Sequence, residues 1–130
     1  MLEKLSTETL EAIFDALPLD ITFVDDTDTI KYYSRDEQRI FKRMPAIIGK
    51  KVQQCHPQES LHKVNQVLTE LKAGKRKVAE FWLELKGRRI YIRYFPVRGK
   101  TGNYLGALEV TQDITDLQKI SGEKRLMDME

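Results

Sequence analysis

What this chain has little of narrows its function first. Among 130 residues there is one cysteine, Cys55, which excludes an intramolecular disulfide and any multi-cysteine zinc site. Charge of one sign is also scarce. Basic residues number 22 and acidic ones 20, and the resulting +2 gives too weak a field to hold nucleic acid. The densest basic cluster, Lys72 to Lys77 with Lys86 to Arg89 nearby, reads as solvated loop ends. No run reaches the ~18 apolar residues of a membrane span, so no membrane is expected as a partner. The N-terminus lacks the basic-then-apolar order of a secretory signal, and a cytoplasmic location is expected. Phosphate-cradling glycine loops, Gly-x-Ser-x-Gly elbows and His-Glu-x-x-His motifs are all missing, so an independent enzyme is not expected.

What is there reads as one modest α+β domain. Residues 6–17 predict a helix with Ser6 or Thr7 as cap and Leu10, Ile13, Phe14 and Leu17 on one face, stopped by Pro18. Ile21–Val24 and Thr29–Ser34 predict a hairpin around the acidic turn Asp25 to Asp28. Ser34 to Met44 carries a short helical pattern, with Ile40 and Phe41 as its apolar contacts, and Pro45 to Gly49 a helical turn. A longer helix starts at Pro57, carries Leu61, Val64, Val67, Leu68 and Leu71, and ends near Gly74. Three strands follow, Val78–Leu85, Arg89–Val97 and Tyr104–Gln112, joined by short glycine-bearing links. Glu80 and Glu84 share one strand face and are placed to pair with Arg89 or Arg93 across the hairpin. These patterns leave the sheet order open, because the first hairpin can join either edge of the later three strands.

One stretch runs from Gly49 through Cys55-His56-Pro57 to a helix ending at Lys72-Ala73-Gly74. A second is Pro96-Val97-Arg98, a glycine loop, Leu105-Gly106, then Asp113-Ile114-Thr115. Together they resemble a PAS domain over roughly residues 10–115. Leu17 to Asp25, Ala79-Glu80-Phe81-Trp82 and Glu109 to Thr115 are similar, more narrowly, to the C-terminal PAS domain of haemerythrin-associated proteins with a domain of unknown function. The resemblance implies a five-stranded antiparallel sheet with helices across one face, a ligand cavity between them, and a piece of a longer parent chain. It also implies a division into an N-terminal flanking helix (1–17), the PAS domain (18–115) and a C-terminal signalling or linker helix (116–130). A sensory, homodimeric module that binds a small ligand or a partner domain is the function it points to.

The candidate site residues follow. Cys55 and His56 are the candidates for a haem or thiol redox sensor, against a purely packing role for the cysteine. Phe41, Val64, Leu68, Trp82, Tyr91 and Tyr94 are the candidates for lining a ligand pocket. The flavin photosensors of the family carry Asn-Cys-Arg-Phe-Leu-Gln after the glycine. This chain has Lys51-Val52-Gln53-Gln54 there, which argues against flavin photochemistry. His62 lies opposite the apolar helix stripe and is expected in solvent. Leu117, Ile120, Lys124 and Met127 have the spacing of a short coiled-coil seam, weakened at Gly122. A ligand-free interaction module with a filled core is the remaining alternative.

Overall fold

The computed structural model describes residues 1–130, except for the side chain of Glu37. Helix α1 (Thr7–Ala16) leads to β1 (Asp20–Asp25) and β2 (Ile30–Tyr33). Helix α2 (Leu61–Lys72) follows, then β3 (Ala79–Leu85), β4 (Arg88–Arg98) and β5 (Tyr104–Asp113). The strands form one antiparallel sheet in the order β2-β1-β5-β4-β3. The early hairpin therefore joins the β5 edge, which settles the order that local patterns leave open.

Local chemistry explains most elements. Ser6 caps α1 by accepting the Thr9 N–H at 3.0 Å. In the β1–β2 turn the Asp25 carboxylate accepts the backbone N–H groups of Thr27 and Thr29 at 2.9 and 3.0 Å, which closes the loop on itself. Lys86 and Gly87 join β3 to β4 with φ of 52° and 78°, the left-handed pair that a tight hairpin needs. At the end of α2, Arg98 from β4 donates to the carbonyls of Leu71 and Lys72 at 2.9 and 3.0 Å. The guanidinium thus meets both the orphan carbonyls and the negative end of the helix.

Strand pairing sorts side chains onto two faces. Thr22, Val24, Ala107, Glu109, Thr111, Ile92, Tyr94 and Phe81 share the inner one, beneath α2. The core there is Val24, Ile30, Leu68, Leu71 and Ala107. The outer face carries Phe23, Leu108, Phe95, Arg93, Tyr91 and Trp82. Helix α1 lies against that side, with the Phe14 ring 5.7 Å from the ring of Tyr32, the partner of Phe23. At the seam of β1 and β5, a Cβ on Gly106 would fall 2.0 Å from the Val24 carbonyl oxygen, so only glycine lets the two strands approach.

Two expectations about helices need correction. Ser34 to Met44 holds only a single-turn 3-10 helix, Asp36–Gln38. The buried Arg39 side chain donates instead to the carbonyls of Ile21, Ser34 and Phe41 and to the Thr22 hydroxyl. The buried Asp20 carboxylate takes the Ile40 N–H at 2.7 Å. Long-range bonds to a strand hold this segment open. The C-terminal residues 116–130 do not form a helix either: two short 3-10 turns, Leu117–Lys119 and Leu126–Asp128, are separated by Gly122 at φ 66°. All of these residues are exposed, and a short segment with no packed face is a marginal helix in water. Just before it, Asp113 ties β5 to the β3–β4 hairpin. Its carboxylate accepts from Arg88 Nε at 2.7 Å and from the Thr115 hydroxyl at 2.7 Å, while the Arg89 N–H donates to that hydroxyl at 2.7 Å.

Candidate functional site

The inner face is apolar where α2 covers it and polar where β1, β5 and β4 meet. Val64, Val67 and Leu68 of α2 stand over Val24, Ile30 and Ala107 and leave a cavity of about 150 Å³. A more open lobe of about 270 Å³ adjoins it, sharing Arg43, His56, Ile92, Tyr94 and Glu109 and adding Phe41 and Thr111.

Glu109 organises the polar end. It projects inward from β5 because it shares parity with Ala107 and Thr111, and Tyr94 stands directly opposite on β4. Its Oε1 lies 3.2 Å from Arg43 Nη2, and its Oε2 accepts the Tyr94 hydroxyl at 2.6 Å. Burial, together with the neighbouring Glu109 carboxylate, pushes the Tyr94 phenol far above its usual range, so it stays a proton donor. His56, half-buried, lines the same wall. Burial and, to a smaller extent, the nearby Arg43 charge hold its imidazole below 6.5 against the opposing pull of Glu109. It is therefore neutral at neutral pH. Two buried atoms here have no hydrogen-bond partner among the described residues: Arg43 Nε and Thr111 Oγ1.

The sequence-derived candidates divide. Val64, Leu68, Tyr94 and His56 line the cavity, and Phe41 lines the adjoining lobe. Trp82 and Tyr91 do not. They pair with each other on the outer face, Trp82 is 60% exposed, and both alternate out of register with the inward Phe81 and Ile92. Cys55 and His56 also part company: Cys55 packs against the apolar core and does not line the cavity. Adjacent residues seldom converge on one centre, and among the described residues no group of three or more metal-ligating side chains is found. Haem does not fit the cavity as it is shaped. The cavity alone matches a benzene-sized guest, and the adjoining lobe brings the space only to the lower end of the ~300–1,000 Å³ of sites for larger ligands. His62 is exposed, as its helix position predicts. The pattern reading missed Arg43, Glu109 and Thr111. Glu109 did leave a signal, since it is an acid flanked by Leu108 and Val110 within a strand.

Comparison with known proteins gives a consistent picture. Residues 10–115 match the profile of a family described as PAS domain. A C-terminal domain from Streptococcus mutans is similar at 35% identity and a TM-score of 0.83, covering 90% of this chain and 91% of that one. A PAS domain from Colwellia psychrerythraea shares 17% identity at a TM-score of 0.60, over 84% of this chain and 97% of that one. The PAS domain of Bordetella pertussis BvgS shares 19% at 0.60, over 86% and 90%. Among curated proteins nothing matches the chain. Among the described residues no helix is long and apolar enough to cross a membrane.

Proposed function

Because this chain belongs to the PAS domain family, whose members are sensory and signalling modules, we propose that it is a non-catalytic sensor that binds a small ligand and dimerises. The observation that carries the ligand half of this reading is the cavity, with a part-buried Arg43–Glu109–Tyr94 group at one end and apolar walls at the other. That combination, mostly apolar with a few placed polar groups, is the usual make-up of a small-molecule site. A ligand there acts by its differential affinity for two arrangements of the surrounding elements. Dimerisation is assigned to α1 and the outer face, where Ile13, Phe14, Leu17 and Trp82 are exposed beside the half-buried Tyr91 and Phe95. Tyr, Trp and Arg in such a patch are the residues that dominate protein interfaces.

The similar Streptococcus mutans protein is a C-terminal domain. That likeness supports reading this chain as a piece of a longer protein, and we take the parent to be a haemerythrin-associated protein of the cytoplasm, a reducing compartment that suits a lone Cys55 thiol. Native mass spectrometry of the purified protein tests both halves at once. Dimer mass with an excess matching a small molecule is the expected result. A monomer of bare polypeptide mass, unchanged after incubation with a metabolite extract, would sink the reading.

A further inference from the structure

We infer that the cavity takes a small monocarboxylate: a compact apolar body of about benzene size bearing one ionised carboxylate. This rests on the sensor reading above and adds the chemistry of the ligand.

Size sets the body. An apolar void of ~150 Å³ holds a six-membered ring, and here the walls are Val24, Ile30, Val64, Leu68 and Ala107. The donor and acceptor count sets the head. Each Glu109 oxygen already accepts one bond, from Arg43 Nη2 or from the Tyr94 hydroxyl. Left over are the Arg43 Nε–H and the Thr111 hydroxyl, both buried and unpartnered among the described residues, with Thr111 only 1% exposed. A buried donor without an acceptor is costly, so the missing group is one that accepts. Charge then selects among acceptors. Arg43 and Glu109 pair and cancel, so the one positive charge in excess around the cavity and lobe is that of Lys63 at the exposed rim, and His56 beside them is neutral. A carboxylate brings two accepting oxygens, no donor and one negative charge. A neutral carbonyl answers the donors but not the charge, and an ammonium cannot accept from the Arg43 Nε–H and adds to the positive charge.

Benzoate, its neutral isostere benzamide and benzylamine are the probes, titrated into the full chain by calorimetry at neutral pH. Benzoate is expected to bind at least about tenfold more tightly than benzamide, with no heat from benzylamine. Thr111→Val, close in shape and checked for an unchanged circular dichroism spectrum, is expected to weaken benzoate several-fold and leave benzamide less affected. Arg43→Gln is the second variant, expected to remove the preference for the charged probe. Equal affinity for benzoate and benzamide overturns the carboxylate assignment while leaving the cavity a binding site. Unweakened benzoate binding to folded Thr111→Val and Arg43→Gln overturns the placement of the head group. Silence from all three probes overturns this inference, and the mass-spectrometric result then decides the fate of the sensor reading separately.

Discussion

The two faces of the sheet use the same pair of residue types to opposite effect. On the inner face Tyr94 donates to Glu109 at 2.6 Å under α2 and beside Arg43. On the outer face Tyr91 donates to Glu80 in the open, and Arg93, which faces Glu80 in the register, stacks instead over Tyr91 and Phe95 at 4.8 and 5.4 Å. The nearby Arg89–Glu84 pair is a loose 3.9 Å contact between exposed groups, of a kind worth ~0–1 kcal/mol. On the inner face Arg43 and Glu109 are part-buried, water competes less, and removing one member of the group costs more the deeper its partners lie. Depth beneath the sheet, not residue type, decides what a Tyr–Glu bond does.

The comparison can be broken at its base. Gly106→Ala should disrupt the β1–β5 seam that both faces share, because the new methyl meets the Val24 carbonyl and the Phe23 ring. A loss of about 4 kcal/mol is expected, at the extreme end for a point change. Urea denaturation checks it, and a loss below ~1 kcal/mol would mean that the seam can open at little cost. The comparison is sharpened by deleting the two hydroxyls in turn. Tyr94→Phe leaves a Glu109 oxygen unpaired in the interior and should cost ~1–3 kcal/mol, whereas Tyr91→Phe should stay within ~0.5 kcal/mol. Equal effects in the same denaturation series would erase the distinction between the faces.

The smallest effect lies at the strand exit, beyond the helix-covered part of the sheet. The Thr115 hydroxyl, and after it the Arg88 guanidinium, hold Asp113 down from 3.8 to about 2. Since the folded value is the lower one, the carboxylate stabilises the fold above pH ~4 and the contribution is lost as pH falls towards 2. An NMR titration of the Asp113 carboxyl should place its midpoint near 2, and Thr115→Val should move it up towards the ordinary value. A midpoint near 3.8 in the unmodified chain would show that the Asp113–Thr115 contact does not persist in solution.

How much of this was legible in the sequence depends on the range of the forces involved. The β3–β4–β5 strands were readable because alternation, Lys86-Gly87 and the glycine loop are local signals. The conformation of residues 34–44 was not. It is set by Arg39 and Asp20 bonding across 17 to 20 residues of sequence, and no helical periodicity reports that. Trp82 and Tyr91 are pocket candidates by sequence yet lie on the outer face, because β3 and β4 carry apolar side chains on both faces and a period of two gives parity without saying which parity is inside. Arg43 and Glu109 lie 66 residues apart, and only the completed sheet brings them together.

The Asp113 tie has a mechanical side. Glu109 under the helix and Asp113 at the exit sit on one face of the same strand, two pleats or roughly 13 Å apart. A β-strand behaves as a rod that neither shortens nor buckles over so short a span. Any displacement of β5 along its axis at Glu109 would therefore reach Asp113 undiminished, and the Arg88 and Thr115 bonds there are the last contacts it would load before the exposed residues 116–130.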